Sequence, residues 1–323
     1  MATDADGLHT HGEDHDMRAV QIVRWGDVND LIVDEIDTPQ PGPGQVRVRV
    51  SAAGLNPVDA KIIEIMQDSP GGYGDGVALP AGNGNDYAGI VDAVGEGVTA
   101  FAPGDAVFGG RRFFAQAEYV VDELENLRPV PAGLSLAQAG SLDIAGRTAV
   151  ASVRQVAPRK GETVLVSAAA GGVGILAAQL ARALGARVVG TASVANHAAL
   201  RELGIEPVEY GAGLADRLRA IAPDGIDAVL DNEGRDTLET ALELGVPIAR
   251  INTIADRPFA AEHGISTVGG ADASRHDLVE LAARIAAGEI SFPIDATYPL
   301  EEVVAAYKRL KARHLRGKIV LEP

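Results

Sequence analysis

The sequence predicts an α/β protein with two parts, one rich in short strands and one built on a parallel sheet with helices on both faces. In the first part, apolar and polar residues alternate with a period of two, and Gly and Pro separate the runs. Near Leu136 the period changes to that of a helix, and helical patterns then alternate with strands. Such alternation is typical of a parallel sheet, whereas turn-dense β structure is compatible with a small barrel.

The composition argues against several classes of function. The 323 residues are 46% hydrophobic and 23% charged, as in a soluble globular protein large enough for two domains. The net charge of −17 argues against a nucleic-acid partner, and the lack of cysteine excludes disulfides, a thiolate nucleophile and a Cys-ligated metal. No apolar run approaches the roughly 20 residues that span a membrane, and the first residues lack the pattern of a signal peptide. A cytoplasmic protein with no membrane partner is therefore expected.

The β-rich part follows a polar segment. Residues 1–16 are acidic and aperiodic, and they are predicted to be a disordered leader. Alternating runs at 18–23 and 45–50 then predict half-buried strands, with a Pro- and Gly-rich turn at 38–44 between them. Further short strands are expected at 88–93, 106–108 and 117–121.

The α/β part begins beyond the change of period. Strands separated by helices are predicted over 162–166, 187–190, 206–210, 227–231 and 248–254. The end of the chain is predicted to hold a helix over 300–314 and a strand over 317–321. We therefore expect residues 141–294 to form one domain, and residues 17–140 together with 295–323 to form the other.

The first strand of the predicted parallel sheet ends in a turn of small residues. Val164–Val166 leads into Ser167-Ala168-Ala169-Ala170-Gly171-Gly172-Val173-Gly174, where a helical pattern begins. Small side chains let the backbone approach a pyrophosphate, and the free N–H groups of a helix start favour its negative charge. The spacing Ala168-x-x-Gly171-x-x-Gly174 is not the usual G-x-G-x-x-G, and a tight turn without a ligand is the alternative. The strand–helix–strand context favours a bound dinucleotide. Its predicted contacts are Ala170, Gly171, Gly172, Val173 and Gly174.

Six segments, in order along the chain, carry a resemblance to a known family. They are 54–61 (GLNPVDAK), 84–89 (GNDYAG), 94–98 (VGEGV), 101–107 (FAPGDAV), 168–174 (AAAGGVG) and 314–320 (HLRGKIV). From Met17 to Pro323 the chain resembles the zinc-independent quinone oxidoreductase and alkenal/enone reductase branch of the medium-chain dehydrogenase/reductase superfamily.

The resemblance implies a fold and an activity. It implies a GroES-like β-barrel domain, a Rossmann domain and a cleft between them that holds the nicotinamide. It also implies NADPH as the hydride donor and a quinone or an α,β-unsaturated carbonyl as the acceptor. A homodimer is expected, with edge strands near 248–254 and 266–268 paired across a two-fold axis, since pairing hides an exposed edge.

Zinc-dependent relatives provide a contrast at two motifs. They place a Cys near the position of Asn56 and a Gly-His-Glu near Gly84-Asn85-Asp86, and they carry four close cysteines for a second zinc. None of these ligands is present in this sequence, and carboxylates alone make a poor zinc site. No metal is therefore expected, and alcohol oxidation assisted by zinc is excluded.

The end of the second parallel strand bears on the choice of cofactor. NAD-binding domains place an Asp or Glu there to bind the ribose 2′-hydroxyl, whereas this chain reads Val189-Gly190-Thr191-Ala192-Ser193. NADPH is favoured, with Ser193, Asn196, His197 and Arg201 available to a 2′-phosphate. Tyr210 stands where the family often uses a Tyr against the adenosine phosphate. The alternative is that Tyr210 only ends a strand and that Ser193 caps the next helix.

At the nicotinamide half, the resemblance implies contacts from both parts of the chain. Asn56 and Lys61 project toward the nicotinamide, Thr148 lies beside the cofactor, and Gly317 with Lys318 forms the closing contact, although both could serve only the last strand. Asn232, after the fourth parallel strand, is also expected to contact the cofactor.

Catalysis needs a donor that polarises the acceptor carbonyl. The candidates are Asn56, Lys61 and a tyrosine, either Tyr73 in the Gly-rich loop 69–76 or Tyr87. Tyr73 is the preferred tyrosine, its alternative being an exposed loop aromatic, and Tyr87 is expected to pack in the core. No residue is required as the proton donor.

One segment differs from the sequence pattern that is usual in this family. Residues 231–247 lack the usual glycine pairs, place Glu233 near the expected nicotinamide wall, and put Pro247 at the expected start of a strand. This departure supports an alternative function, in which the protein binds NADPH as a sensor or structural protein with little turnover.

Overall fold

The computed structural model describes residues 16–66 and 76–323. The leader predicted for residues 1–16 lies outside these ranges except for Asp16, which is the first residue of a strand. The strands are β1 (Asp16–Ile22), β2 (Leu31–Asp37), β3 (Gln45–Gly54), β4 (Ala81–Gly82), β5 (Asp86–Val94), β6 (Ala106–Gly110), β7 (Tyr119–Glu123), β8 (Arg128–Pro129), β9 (Thr163–Val166), β10 (Arg187–Thr191), β11 (Glu206–Val208), β12 (Ala228–Asp231), β13 (Ile251–Thr253), β14 (Ile294–Pro299) and β15 (Lys318–Glu322).

The helices lie mainly in the second half of the chain. They are α1 (Pro57–Met66), α2 (Leu136–Ala139), α3 (Asp143–Val156), α4 (Gly172–Ala183), α5 (His197–Glu202), α6 (Leu214–Ile221), α7 (Arg235–Glu243), α8 (Arg257–His263), α9 (Arg275–Ala286) and α10 (Val303–Lys311). In the described part of the chain, no helix combines the length and the apolar character needed to cross a membrane.

The first half of the chain forms two sheets. A small antiparallel sheet has the order β2-β1-β4. A larger, mixed sheet runs β14-β15-β3-β5-β6-β8, with β14 and β15 parallel and β7 also pairing to β3. The last strand, β15, joins this larger sheet by pairing with the end of β3 at Ala53 and Gly54. The end of the chain therefore completes the structure that its first half begins.

The second sheet system is the predicted parallel sheet. Its order is β11-β10-β9-β12-β13, with every pairing parallel. All four residues of β9 are buried, and successive side chains point to opposite faces. Val164 and Val166 pack in one core, which includes residues of α3, α4 and α9, whereas Leu165 packs in another, which includes residues of α6, α7 and α8. The predicted α/β fold class, with a GroES-like part and a Rossmann sheet, is confirmed.

Some local predictions differ from the structure. Pro247 precedes a 3-10 turn over Ile248–Arg250, so it does not begin a strand, and β13 starts only at Ile251. Residues 266–268 form one isolated bridge, between Ser266 and Asn252, and no named strand. Helix α1 is not among the predicted elements, because its first residues belong to the family segment 54–61 and no helix was predicted there.

Candidate functional site

The glycine turn is shaped by close backbone contacts. Gly171 is the N-cap of α4, and Ala168 adopts a left-handed conformation with φ of 47°. A Cβ at Gly174 would lie 2.2 Å from the carbonyl oxygen of Ala168, so only glycine fits where the helix meets the strand. A Cβ at Gly172 would lie 2.7 Å from Cδ of Lys318. The first N–H groups of a helix have no intrahelical acceptor and suit an anionic pyrophosphate, so this cradle fits the dinucleotide predicted for it.

The last strand connects this turn to the larger, mixed sheet. The N–H of Gly317 donates to the carbonyl of Ala170 at 2.8 Å, and Gly171 bridges to Gly317. Two residues further on, the carbonyl of Ile319 accepts the N–H of Leu55 at 3.0 Å. The predicted closing residues therefore lie between the glycine turn and the segment that leads to Asn56.

Asn56 lies at the junction of β3 and α1 and is 2% exposed. Its backbone N–H donates to Oδ2 of Asp59 at 2.9 Å, and its side-chain oxygen accepts a hydrogen bond of 2.5 Å from Nζ of Lys318. Its amide nitrogen makes no hydrogen bond of normal geometry among the described residues, and it lies beside the Asp86 carboxylate, whose pKa the amide lowers. A buried amide without a partner is costly, and a ligand group is one means of satisfying it.

Three ionisable groups are buried around Asn56. Nζ of Lys318 lies 3.7 Å from Oδ2 of Asp86, an oxygen that accepts no hydrogen bond of normal geometry from the described residues. Burial raises the pKa of the Asp86 carboxyl, while the Lys318 ammonium and the nearby Asn56 amide oppose that shift. Burial lowers the pKa of Lys318, against the attraction of Asp86 and Asp59. Burial and the charge of Asp86 together raise the pKa of Asp59 to about 7.

A polar chain continues from Asp86 to α3. Oδ1 of Asp86 accepts from Nδ2 of Asn85 at 2.9 Å and from the N–H of Ile144 at 3.1 Å. Nδ2 of Asn85 also lies 3.2 Å from Asp143, which pairs with Arg147 at 2.6 Å. The buried carboxylate of Asp86 thus holds the start of the helix that carries Thr148.

The other candidates at the nicotinamide half lie in different surroundings. Nζ of Lys61 is exposed and donates to the carbonyl of Ala255, 3.3 Å away and beyond β13. Thr148 is 7% exposed and faces Gly270. A Cβ added to Gly270 would lie 3.2 Å from Oγ1 of Thr148. Tyr73 lies outside the described residues. Tyr87 is fully buried and donates to Asp122 at 2.7 Å, in agreement with the predicted core role.

The segment after β12 folds back on the turn after β9. Oδ1 of Asp231 accepts a hydrogen bond of 2.7 Å from Oγ of Ser167, and Oδ2 accepts one of 2.6 Å from Thr253. Asn232 donates from its backbone to Oγ of Ser167 at 2.7 Å and from its side chain to the carbonyl of Ser167 at 2.9 Å. Glu233, which the sequence left without a partner, forms a salt bridge of 3.1 Å with Arg313.

The candidates for the adenosine half lie beyond β10 and β11. Ser193 is half-buried and occupies the N-cap position of the 3-10 turn Val194–Asn196, but its side chain makes no capping hydrogen bond within the described part of the chain. Nε2 of His197 lies 3.2 Å from the carbonyl of Ala192. Tyr210 is 41% exposed, and its hydroxyl is 3.0 Å from Nδ1 of His314. Both sides of this contact lie near the carboxyl edge of the sheet.

Several residues of the site were not predicted from the sequence to belong to it. Asp59, Ser167, Asp231 and His314 act through contacts with partners far along the chain, which a single sequence does not reveal. Asp59 had one local signal, since Pro57 and Asp59 occupy the first and third positions of a helix, where both types are favoured.

A metal site is not evident from the side chains present. Within residues 16–66 and 76–323, no group of three His, Cys, Asp or Glu side chains has an arrangement that could hold a metal ion.

Comparisons with known proteins agree with this architecture. Residues 42–160 match a family described as alcohol dehydrogenase GroES-like domain, and residues 203–321 match one described as zinc-binding dehydrogenase. A quinone oxidoreductase of Pseudomonas aeruginosa is 33% identical over 95% of this chain and 99% of its own length.

Solved structures give the same result. The quinone oxidoreductase of Coxiella burnetii has a TM-score of 0.82 and 29% identity, covering 95% of this chain and 99% of that one. A mycobacterial protein complexed with NADPH has a TM-score of 0.81 and 26% identity, covering 95% and 100%. Because these matches extend over nearly the full length and the parallel sheet carries the glycine turn, this chain is a medium-chain dehydrogenase/reductase of the quinone oxidoreductase branch, an oxidoreductase family that uses a nicotinamide cofactor and acts on small molecules.

Proposed function

We propose that this protein is an NADPH-dependent reductase of quinones or α,β-unsaturated carbonyls that works without zinc. The observation that carries the proposal is the buried amide nitrogen of Asn56, which makes no hydrogen bond of normal geometry within the described ranges, has two N–H groups, and lies between the glycine turn and the larger sheet. A donor in such a place suits an oxygen on which negative charge develops.

The chain's residues would hold and orient the cofactor. The N–H groups at the start of α4 would bind the pyrophosphate, and Thr148, Asn232 and Gly317 would contact the remainder of the cofactor. When bound, the nicotinamide supplies a hydride from its C4 atom. The protein must align the acceptor, exclude water and polarise the acceptor carbonyl, for which Asn56, Lys61 and Tyr73 are the proposed donors.

The preference for NADPH rests on charge. The end of β10 reads Thr191-Ala192-Ser193, without the carboxylate that binds a ribose 2′-hydroxyl and would repel a 2′-phosphate. The hydroxyl of Ser193, the imidazole of His197 and the hydroxyl of Tyr210 are the groups proposed to meet the phosphate.

The proposal that zinc is not used rests on the donor set. Asn56 and Asn85 offer neutral amides, which are poor ligands for zinc. Nζ of Lys318 lies 2.5 Å from Oδ1 of Asn56 and 3.7 Å from Oδ2 of Asp86. Its positive charge would repel a divalent cation at this position. We expect that chelators leave activity unchanged and that the purified protein contains no stoichiometric zinc.

A homodimer is also proposed. β13 is the last strand of the parallel sheet, and its outer side carries the Ser266 bridge and two hydrogen bonds between the Asn252 side chain and the backbone of Val268, which leaves segment 266–268 at the edge. Pairing with a second copy would cover that edge, and the molar mass in solution measured by light scattering tests this expectation.

The direct test follows the absorbance of NADPH, and separately of NADH, with benzoquinone, a polycyclic quinone and a short enone. We expect NADPH oxidation with at least one acceptor, and about 100-fold lower kcat in Asn56→Ala, since one lost oxyanion donor typically costs about 100- to 1000-fold. Asn29→Ala, at an exposed asparagine, is the matched control. Preference for NADH would overturn the cofactor assignment, and tight NADPH binding without turnover on any acceptor would favour the sensor alternative.

A further inference from the structure

Lys318 is an unusual lysine because its charged end is inside the protein. It is the first residue of β15 and is only 5% exposed. Nζ donates to the carbonyl of Leu55 at 2.7 Å and to Oδ1 of Asn56 at 2.5 Å. The ammonium is therefore bound to protein oxygens on the segment that carries the proposed catalytic amide.

The stem of the same side chain reaches the other half of the site. A Cβ on Gly172 would lie 2.7 Å from Cδ of Lys318 and 3.3 Å from its Cγ, so the methylenes lie over the first residue of α4. One side chain thus contacts the glycine turn with its stem and Asn56 with its ammonium.

The buried charge is balanced by Asp86. The carboxylate is fully buried and its Oδ2 lies 3.7 Å from Nζ, so the pair attract each other without a direct hydrogen bond. Taking both groups out of water is costly, and removal of one partner leaves the other uncompensated. Such a pair contributes little net stability. Stability therefore does not explain the buried ammonium, whereas its hydrogen bond to Asn56 does.

An ammonium has three donors and no acceptor, so it selects one of the two orientations of an amide. With Nζ at 2.5 Å, only the side-chain oxygen of Asn56 can face Lys318, and the nitrogen must face away from it. We propose that Lys318 is a positioning residue that fixes the Asn56 amide so that its Nδ2 is presented as the donor to a bound nicotinamide or acceptor. This inference rests on the proposed function of Asn56.

Direct contact of Lys318 with the cofactor is the competing role, and kinetics separates the two. A direct contact predicts that loss of the ammonium weakens NADPH binding. A positioning role predicts that kcat falls while the NADPH dissociation constant stays within about threefold, because the interaction lost is one made during reaction.

The test uses a double-mutant cycle. Lys318→Met keeps an apolar stem and removes the ammonium, and Lys318→Met with Asp86→Asn removes both charges while leaving an oxygen for the N–H of Ile144. We expect both forms to lower kcat at least tenfold in the wild-type background and to have less than a twofold effect when Asn56→Ala is already present. Lys308→Met, at an exposed lysine on α10, is the control and should resemble the wild type. Independent, multiplicative losses from Lys318→Met and Asn56→Ala would overturn the proposal.

A second readout does not depend on turnover. The side-chain amide resonances of Asn56, identified by their loss in Asn56→Ala, should shift and exchange faster with solvent in the charge-neutral Lys318→Met/Asp86→Asn form than in Asp86→Asn alone, since Asp86 itself lies beside this amide. Unchanged Asn56 resonances in that form would contradict positioning, whether or not any acceptor is reduced. Failure of the wild type to turn over, with the resonances shifted as expected, would instead reject the proposed function and retain the positioning role.

Discussion

The hydroxyl of Tyr210 lies 3.0 Å from Nδ1 of His314, and the two rings stack with centroids 6.2 Å apart. This contact joins the chain just beyond β11 to the segment before β15. Arg313 and His314 both have positive φ, 60° and 57°, a conformation that costs a residue with a side chain about 1–2 kcal/mol. The stacking and hydrogen bond help to hold this strained turn beside the proposed adenosine site.

Tyr210→Phe keeps the ring and removes the hydroxyl. We expect NADPH affinity to fall about fivefold, since one hydrogen bond contributes about 1 kcal/mol, while NADH affinity changes less. Titration of cofactor fluorescence measures both constants. Tyr298→Phe, on β14, is the control. Equal losses for the two cofactors would show that the hydroxyl does not serve the 2′-phosphate.

Glu233→Gln tests the departure after β12. The Glu233–Arg313 pair is 3.1 Å long, but its side chains are 26% and 70% exposed, so its loss should change the free energy of unfolding by less than about 0.5 kcal/mol. Release of the Arg313 charge should strengthen NADPH binding two- to threefold at low salt, and the gain should disappear at high salt. Glu243→Gln, in the exposed pair with Arg219, is the matched control and should leave affinity unchanged. Weaker NADPH binding in Glu233→Gln would contradict this expectation.

Asp59→Asn should alter how stability depends on pH. Burial and the charge of Asp86 raise the pKa of Asp59 from 3.8 to about 7, against the opposing effects of the N–H of Asn56 and the charges of Lys318 and Arg112. Folding thus favours the protonated form of Asp59. The contribution of this group to the free energy of unfolding is complete below about pH 4 and is lost as the pH rises through 7, and the loss amounts to about 4 kcal/mol. Asparagine keeps an oxygen for the N–H of Asn56 and has no such loss. Urea unfolding between pH 5 and 8.5 should show the variant gaining stability relative to wild type as pH rises, and parallel curves would contradict the assignment.

Sequence alone predicted those elements whose pattern is local. The parallel strands are recognisable because burial on both faces makes them continuous apolar runs such as Thr163–Val166, and the glycine turn lies directly between a strand and a helix. The small residues of that turn predicted an approach of the backbone to a pyrophosphate, whereas the close contact between Gly174 and the Ala168 carbonyl was not predicted. Asn56 was found through its motif.

The rest depends on contacts across the chain. A lysine that starts a strand is usually solvent-exposed, and the burial of Lys318 follows only from Leu55, Asp86 and Gly172, which other segments supply. His314 meets Tyr210 across 104 residues of sequence. The two partners of Asp231, Ser167 and Thr253, likewise come from different strand ends, so no spacing in the sequence indicates their network.

Gly174→Ala and Gly171→Ala form a matched pair within the glycine turn. A Cβ at Gly174 would lie 2.2 Å from the Ala168 carbonyl oxygen, a backbone atom that cannot rotate away, whereas the nearest atom to a Cβ at Gly171 is the same oxygen at 3.3 Å. We expect Gly174→Ala to lower the free energy of unfolding by about 1–3 kcal/mol, as overpacking does, and Gly171→Ala to lower it by less than about 1 kcal/mol. Displacement of α4 would also move its first N–H groups, which are proposed to bind the pyrophosphate that both cofactors share. Gly174→Ala should therefore weaken NADPH and NADH binding alike. Urea unfolding and cofactor titration on the same samples measure the two effects. A Gly174→Ala protein as stable as Gly171→Ala would mean that the strand and helix can separate at this point without loss, and that close packing does not explain the glycine.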